Sequence, residues 1–172
     1  SQLGIAVELT LGAENMWDSC FFERTQDNTV PSYGGGPAFL VEFPIFQLPA
    51  GLFERIFEIK MKEKLPVIAH PERYQELWSN EEAVRHLSQD CAMVVDLGAV
   101  AGDHGRKEAK MARYLLKSGL AHAAASDCHS PSDLKSAEKG IRWIEKKLGS
   151  AAVDRLLGDN AKQIVQGIHP ND

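Results

Sequence analysis

Short apolar runs alternate with amphipathic helical segments along most of this chain, and no other feature of the sequence limits the possible folds as much. The runs of strand length are residues 3–11, 38–43, 66–69, 91–97 and 120–126. The segments with helical spacing of apolar residues are 51–64, a segment that starts after Ser79, 106–118, 134–148, 150–157 and 160–166. Repeated strand–helix units favour a parallel sheet or a barrel, so the sequence predicts an α/β fold.

One long stretch, residues 17–36, has no clear period. It contains Asp27, Pro31 and a run of three glycines, all of which favour turns. We therefore expect an irregular connection there, of the kind that is often functional or mobile in compact domains. Further along, Ser79 is expected to cap a helix, with Glu82 reaching back to it.

Length, charge and cysteine content narrow the class of protein. The 172 residues fit one domain, residues 1–172, with a core of its own. A net charge of −5 gives no reason to expect nucleic acid as a partner. No apolar run approaches the roughly 20 residues of a membrane span, and residues 1–11 lack the pattern of a signal peptide. The three cysteines are far apart, which favours free thiols and predicts a cytoplasmic protein.

His70 and Arg73 follow the apolar run 66–69 in the sequence HPER. Pro71 biases His70 toward an extended backbone, so we expect the imidazole at the carboxyl end of a strand, where α/β folds build their sites. Arg73 offers a planar fork for a phosphate or carboxylate. A metal ligand beside such a fork is typical of a metal-assisted phosphoester hydrolase. A hydrogen-bonded histidine next to a surface arginine is the alternative interpretation.

Two glutamates stand near predicted strands. Glu42 lies inside the run 38–43, and a charge in a buried strand is costly unless it is paired or binds a metal. A ligand role is therefore favoured over an edge-strand glutamate that faces water. Glu14 follows the run 3–11 and could serve the same site, or simply begin a helix.

Asp127 and His129 follow the last strand-like run. Because they are two residues apart, their side chains can point the same way in an extended backbone, which makes a workable pair for a divalent ion. An aspartate that begins the next helix, with an incidental histidine, is the alternative. His122 is expected to be a buried histidine with satisfied hydrogen bonds, and His104, in a glycine-rich loop, is expected to be solvated.

The candidate ligands thus share one position, at or near the carboxyl ends of predicted strands. They are Glu14, Glu42, His70, Asp127 and His129. Since the carboxyl ends of parallel strands lie at one edge of a sheet, we expect these side chains to form one site.

The segments that carry these residues resemble a known family, the bacterial PHP-domain (polymerase and histidinol phosphatase) tyrosine phosphatases of capsule and exopolysaccharide regulation, which depend on manganese. The matching segments are Gly12-Ala13-Glu14, Leu40-Val41-Glu42-Phe43-Pro44, the run from Ile68 to Tyr74, Ala101-Gly102-x-x-Gly105, Ala125-Ser126-Asp127-x-His129 and Asn160-Ala161. Their order and spacing agree along nearly the whole chain.

The resemblance implies a distorted (β/α)7 PHP barrel with a cluster of up to three divalent ions, manganese or another metal such as iron, magnesium or zinc. By position, Glu14 would bridge two ions. Glu42 and His70 would complete one of these two sites, and Asp127 would join the other. His129 would bind the third ion. Such a cluster can generate a hydroxide at neutral pH and stabilise charge on a transferred phosphoryl group.

The resemblance also implies that Arg73 holds the phosphate of the substrate, a phosphotyrosine protein that we expect to be a bacterial tyrosine kinase. A nucleophilic cysteine is not needed for this chemistry. Cys128 in addition lacks the Cys-x5-Arg phosphate loop that a cysteine phosphatase would carry.

The chain departs from the family in two places. Family members open with a strand that carries His-x-His, followed by further ligands, ahead of the position of Ser1. We therefore expect an incomplete barrel, without the first one or two βα units and about three quarters of the family domain, whose unpaired strand edges favour homo-oligomers. The family also places an arginine where this chain has Leu134. Lys135 is the remaining candidate for substrate binding there, as a point charge without the fork.

Three functions stay open on the sequence. A metal-dependent phosphotyrosine-protein phosphatase agrees best with the ligand set. The change at Leu134 favours instead a PHP hydrolase of a small phosphomonoester. The absent His-x-His favours a degenerate scaffold that binds a partner, or one metal, without turnover. We expect weak or no activity of these residues alone, and the first function for the protein to which they belong.

Overall fold

The computed structural model describes residues 9–172 and contains a parallel sheet of five strands. In chain order the strands are β1 (Glu14–Met16), β2 (Ala38–Glu42), β3 (Leu65–Ala69), β4 (Ala92–Asp96) and β5 (Ala123–Ala125). Each strand pairs in parallel with the next one along the chain, so the spatial order is also β1 to β5. The predicted α/β class and parallel sheet are confirmed. All five carboxyl ends lie at the same edge, where α/β folds bind their ligands.

Apolar side chains cover both faces of the sheet, as a parallel sheet requires. Every residue of β3 is buried. On one face, Val41 and Ile68 pack into the larger core beneath most of the helices. On the other face, Val67 packs in a smaller cluster with Ile164 from the carboxyl-terminal helical segment. Both faces of the sheet are therefore covered by apolar side chains, and polar side chains can gather only at its edges, including the carboxyl edge.

The helices lie between the strands along the chain and after the last strand, and they pack against the sheet. They are α1 (Ser19–Gln26), α2 (Leu52–Lys60), α3 (Glu81–Asp90), α4 (Leu97–Ala101), α5 (Arg106–Lys117), α6 (Asp133–Leu148), α7 (Ser150–Asp154) and α8 (Asn160–Val165). Turns of 3-10 helix lie at Tyr33–Gly35, Pro71–Arg73 and Gln75–Trp78. A π-helical turn, Arg155–Asp159, joins α7 to α8. Residues 150–165 are thus continuously helical, rather than the two separate helices predicted.

The segment 17–36, predicted to be irregular, contains α1. The carboxylate of Asp18 caps this helix by accepting a hydrogen bond from the Phe21 N–H at 2.8 Å. The ring of Trp17 lies 5.2 Å from that of Phe21 and meets the Phe43 ring edge-on, also at 5.2 Å between centroids. These aromatic contacts hold α1 against the sheet. The prediction was wrong because the contacts are tertiary and give the sequence no helical period.

Two other local predictions need correction. Of the predicted first strand, residues 3–8 lie outside the described residues and 9–11 form no strand. The first strand begins at Glu14 instead, so this glutamate opens a strand rather than following one. The cap of α3 is Asn80, whose side chain accepts a backbone N–H of the first turn at 3.0 Å, and Ser79 lies one residue before it.

A closed polar cluster lies at the opposite, amino edge of β4 and β5. His122 Nδ1 accepts a hydrogen bond from the Met93 N–H at 3.0 Å, and its Nε2 lies 3.2 Å from the side-chain amide of Asn171. The ring of His169 lies 4.6 Å away, with its Nε2 3.0 Å from the Cys91 carbonyl oxygen. Burial, and secondarily the charge of His169, lowers the pKa of His122 to about 4. The prediction of a buried, satisfied His122 is confirmed.

Among residues 9–172, no helix combines the length and the apolar character needed to cross a bilayer. In the same part of the chain the cysteines are all free thiols: Cys91 is buried, whereas Cys20 and Cys128 are exposed.

Candidate functional site

Three predicted ligands meet at the carboxyl edge of the sheet. Glu14 opens β1, Glu42 ends β2 and His70 follows β3. His70 Nε2 lies 3.1 Å from Glu14 Oε1 and 3.5 Å from Glu42 Oε1. One ligand atom from each of the three residues lies within 4.8 Å of the others. The strands β1 and β2 are parallel neighbours, and their register places Glu14 opposite Leu40, two residues before Glu42.

This donor set fits a divalent cation. Two carboxylates this close repel each other unless a proton or a cation lies between them. The His70 side chain is only 5 % exposed, whereas Glu42 is 24 % and Glu14 38 % exposed, so the group opens toward solvent on the glutamate side. His70 Nδ1 is buried, and no hydrogen-bond partner for it exists among residues 9–172. Oxygen and imidazole ligands suit hard or borderline divalent ions.

The backbone is strained where two of the candidate residues leave their strands. His70 has a φ of 30° and Asp127 a φ of 45°, the left-handed region that residues with a side chain adopt at a cost. The extended backbone predicted for His70 is therefore wrong, although the imidazole does lie just after the strand end. Such strain persists only where the surrounding structure enforces it, and it concentrates at functional sites. Here it turns both side chains toward the same edge of the sheet.

Arg73 joins a second group of side chains at the same edge. It ends the Pro71–Arg73 turn, and its Nη2 donates to Asp127 Oδ2 at 3.0 Å and to Asp96 Oδ2 at 3.1 Å. The other oxygen of Asp127 lies 3.3 Å from His129 Nε2. The guanidinium is thus held by two carboxylates, and its side chain is 29 % exposed. Among residues 9–172, Nη1 and Nε have no protein acceptor, so they can bind an anion.

Asp96 and His104 complete this second group. Asp96 ends β4 with a side chain that is 2 % exposed, and its Oδ1 accepts the Gly98 N–H at 2.7 Å, which caps α4. His104 Nδ1 lies 2.8 Å from Asp96 Oδ2, the oxygen that Arg73 also contacts. His104 is exposed, as predicted, with 36 % of its side chain accessible, but its Nδ1 also pairs with Asp96. The loop after α4 folds back over the strand end and brings the imidazole to a buried carboxylate.

Glu72 lies beneath this group and is fully buried. One of its oxygens accepts the Asp96 N–H at 3.0 Å, and no hydrogen-bond partner for the other exists in the described part of the chain. Burial, with Asp96 nearby, raises the pKa of Glu72 to about 8, although hydrogen bonds and Arg73 oppose the shift. The carboxyl group is therefore mostly protonated at neutral pH.

The structure divides the predicted site residues into three classes. Glu14, Glu42 and His70 form one group with metal-ligand spacing. Asp127 and His129 belong to the Arg73 group, and His129 is 82 % exposed. Lys135 is exposed on α6 and forms no ion pair with residues 9–172.

Sequence reasoning missed Glu72, Asp96 and His104. A signal for Asp96 was present, because it ends β4 in the way that Glu42 ends β2. Glu72 and His104 carry no such signal. The burial of Glu72 and the position of His104 depend on how distant segments pack.

A sequence profile of the family described as "Capsular polysaccharide synthesis, CpsB/CapC" matches residues 1–166. The chain belongs to the CpsB/CapC family. The resemblance found in the sequence motifs is thereby confirmed.

CpsB/CapC relatives are 25–29 % identical to this chain over the aligned residues. It is 29 % identical to tyrosine-protein phosphatase YwqE of Bacillus subtilis over 129 residues, which cover 74 % of this chain and 50 % of the relative. It is 29 % identical to tyrosine-protein phosphatase CpsB of Streptococcus pneumoniae over 164 residues, which cover 91 % of this chain and 68 % of the relative. The chain thus spans half the length of the Bacillus subtilis protein.

The fold also matches a solved CpsB/CapC structure. A chain from the crystal structures of YwqE from Bacillus subtilis and CpsB from Streptococcus pneumoniae, described as unique metal-dependent tyrosine phosphatases, superposes with a TM-score of 0.81 and 25 % identity. The match covers 91 % of this chain and 64 % of that one. The parallel sheet and its helices are therefore those of a CpsB/CapC protein.

Proposed function

We propose that this protein is a metal-dependent phosphoester hydrolase that removes phosphate from phosphotyrosine in proteins, in the regulation of capsule or exopolysaccharide synthesis. The observation that carries the proposal is the grouping of Glu14, Glu42 and His70, with ligand atoms within 4.8 Å of one another, at the strand edge where Arg73 also lies. The similarity to YwqE and CpsB, both named tyrosine-protein phosphatases, supports this reaction and substrate class.

Glu14, Glu42 and His70 would hold a divalent ion, with Glu14 shared between two ions. Manganese is the proposed metal, and iron, magnesium and zinc accept similar ligands. When bound, the metal supplies a hydroxide at neutral pH and stabilises negative charge on the phosphoryl group. His70 is buried, and its Nε2 faces both glutamates, at 3.1 Å from Glu14 and 3.5 Å from Glu42.

Asp127 would contribute to a second ion and His129 to a third, for a cluster of up to three ions. Asp127 already lies beside His129, with 3.3 Å between carboxylate oxygen and ring nitrogen. This proximity supports a shared role for the pair. The arrangement also connects the metal ligands to the anion-binding group, because Asp127 bonds Arg73.

Arg73 would bind the phosphate of the substrate through Nη1 and Nε, while Nη2 stays bonded to carboxylates. A fixed guanidinium can place the phosphorus atom for in-line attack and stabilise its equatorial oxygens. Lys135 would add a weaker contact as a point charge. In this scheme Cys128 takes no part.

We propose further that residues 1–172 form one PHP-like domain and that β1 to β5 belong to a distorted (β/α)7 barrel. The sequential parallel order of the strands supports this, since each barrel strand pairs with the next one along the chain. The phosphotyrosine protein would be a bacterial tyrosine kinase, and the free cysteines support a cytoplasmic location. Pairing through exposed strand edges would give homo-oligomers.

The test is hydrolysis of a phosphotyrosine peptide by the intact protein, with and without manganese. We expect turnover that chelation removes, and that Glu42→Ala and His70→Ala each reduce by on the order of 100-fold or more, since metal ligands lose affinity when one is removed. Glu54→Ala and His86→Ala, which change exposed residues of α2 and α3, are the matched controls. Unchanged activity in Glu42→Ala and His70→Ala would refute the proposal.

A small phosphomonoester is the second candidate substrate. The observation that favours it is the side chain of Leu134, which is 61 % exposed on the first turn of α6, a few residues after His129. An apolar group there cannot bind an anion. A substrate panel distinguishes the candidates: this alternative requires kcat/KM for a sugar phosphate or histidinol phosphate to exceed that for phosphotyrosine peptide.

A further inference from the structure

We propose that Asp96 and His104 form a positioning pair that holds Arg73 in the orientation needed to bind phosphate. The inference rests on the proposed function, in which Arg73 contacts the phosphate of the substrate. Arg73 Nη2 has two carboxylate anchors, Asp96 Oδ2 at 3.1 Å and Asp127 Oδ2 at 3.0 Å. The two anchors differ in ways that assign them different roles.

Asp96 is the anchor that persists when the site is occupied. Its side chain is 2 % exposed, whereas that of Asp127 is 30 % exposed. In the proposed site Asp127 shares its negative charge with a metal ion, which weakens its attraction for Arg73. Asp96 lies outside the group with metal-ligand spacing and keeps its full charge for the guanidinium. A buried charge-assisted hydrogen bond is also stronger than an exposed one.

His104 holds the carboxylate of Asp96, which in turn holds Arg73. Its Nδ1 lies 2.8 Å from the same oxygen, Asp96 Oδ2. An ionised carboxylate only accepts hydrogen bonds, so His104 carries a proton on Nδ1 and donates it there. The other oxygen of Asp96 accepts the Gly98 N–H at 2.7 Å. With both oxygens bonded, the carboxylate cannot rotate, and Oδ2 stays directed at Arg73.

The space for the imidazole is built into α4. A Cβ atom at Gly98 would lie 2.8 Å from His104 Nε2 and 3.3 Å from its Cε1. The backbone of Gly98 does not have the left-handed φ that favours glycine. The absence of a side chain therefore serves to admit His104. A side chain at position 98 would displace the exposed imidazole from its place beside Asp96.

The first experiment is Asp96→Asn in the intact protein with manganese. Asparagine can still accept the Gly98 N–H as a helix cap, but it lacks the negative charge that Arg73 and His104 contact. We expect KM for p-nitrophenyl phosphate, and the inhibition constant for inorganic phosphate, to rise roughly tenfold to a hundredfold, the worth of a hydrogen bond to a charged group. The value of kcat should change much less.

The matched control is Asp18→Asn. Asp18 also caps a helix, by accepting the Phe21 N–H at 2.8 Å, but its side chain contacts no arginine. We expect KM and phosphate inhibition to stay at the wild-type values. If Asp96→Asn behaves like Asp18→Asn, the proposal is overturned.

A double-mutant cycle separates a positioning role from a general structural one. If Asp96 acts through Arg73, Asp96→Asn should raise KM by less than about twofold in an Arg73→Ala background. A full additional rise in that background would contradict the proposal. His104→Gln, at a more exposed position, provides a second variant in case Asp96→Asn does not fold. His104→Gln alone should raise KM several-fold, and in an Asp96→Asn background it should raise KM little further. An unchanged KM in His104→Gln would contradict the positioning role of Asp96 and His104.

Titration calorimetry with inorganic phosphate keeps the two proposals distinguishable. A wild-type protein that binds phosphate but hydrolyses no phosphoester would refute the proposed function alone. Phosphate affinity that is equal in the wild type, Asp96→Asn and His104→Gln would refute the positioning pair alone.

Discussion

Buried histidines lie at both ends of this sheet, and their surroundings differ in hydrogen bonding and in neighbouring charge. At the amino edge, both ring nitrogens of His122 and of His169 have protein partners. At the carboxyl edge, His70 has one nitrogen between two carboxylates and a buried nitrogen without a partner among the described residues. The amino-edge histidines have all their ring nitrogens paired within the protein. At the carboxyl edge, the ligand atoms of His70 and the two glutamates are available to a cation.

The difference shows how burial alone fails to identify a site. His122 and His70 are 2 % and 6 % exposed, respectively. What separates them is the neighbouring charge and the backbone. His122 faces two amides and the ring of His169, whereas His70 faces two glutamates from a left-handed φ of 30°. Closed hydrogen bonding stabilises a fold, and an open acidic group beside an imidazole binds a cation.

The same substitution at each end should therefore have opposite consequences. For His70→Asn we expect turnover and manganese affinity to fall by on the order of 100-fold or more, because a ligand is lost, while asparagine tolerates the positive φ. The free energy of unfolding in the presence of a chelator should change by less than about 1 kcal/mol. Calorimetric manganese titration and urea unfolding measure the two quantities. If His70→Asn lost stability but kept its manganese affinity, His70 would be a structural histidine like His122, and the contrast between the two edges would be refuted.

At the amino edge, His122→Asn should destabilise the fold by about 2–4 kcal/mol, since the shorter side chain can pair with the Met93 N–H or the Asn171 amide but not with both, and leaves part of the ring's buried volume empty. Turnover per folded molecule should equal that of the wild type. Chemical denaturation gives the first value, and initial rates normalised to folded protein give the second. A fall in kcat with unchanged stability would show that the two edges are coupled.

Acid should destabilise the fold through His122 at the amino edge. The pKa of His122 is lowered from 6.5 to about 4 by burial and by His169, so between these values the unfolded chain binds more protons than the folded one. This contribution is complete above pH 6.5 and is lost as the pH falls to 4, for a total of up to about 3 kcal/mol. Unfolding curves from pH 7 to 4 should be flatter for His122→Asn than for the wild type. Equal slopes would show that His122 does not titrate in this way.

The smallest effect is expected for Cys128→Ser. Cys128 lies between Asp127 and His129, but the proposed reaction uses carboxylates, imidazoles and Arg73 rather than a thiol. Activity should stay within about threefold of the wild type, since an exposed thiol and a hydroxyl differ little in size. A phosphocysteine detected by mass spectrometry, or a loss of activity as large as that of His70→Asn, would show that the Cys128 thiol takes part in the reaction.

Four of the five strands could be predicted because a strand buried on both faces needs a continuous apolar run. Strands β2 to β5 are such runs, and their carboxyl ends located Glu42 and His70 correctly. Strand β1 is three residues with an exposed–buried–exposed pattern, and only its pairing with β2 defines it. The sequence therefore could not place Glu14 at the start of a strand.

The Arg73 group could be predicted only in part, because its geometry depends on packing between distant segments. Arg73 was found from its position after a strand. The contact of His104 with Asp96 depends on the path of the loop after α4 and on the space above Gly98. The burial of Glu72 depends on the turn that also exposes its neighbour, Arg73. None of these relations has a spacing along the chain that would reveal it.

The left-handed backbone at His70 and Asp127 has a consequence for anyone who selects heat-resistant forms of this protein. Glycine at either position would relieve the conformational cost, so a screen on melting temperature should enrich glycine at both. Each exchange would also delete a side chain that the proposed chemistry requires. Thermal selection and selection for turnover thus favour opposite residues at these two positions, and melting temperature is a misleading guide to performance.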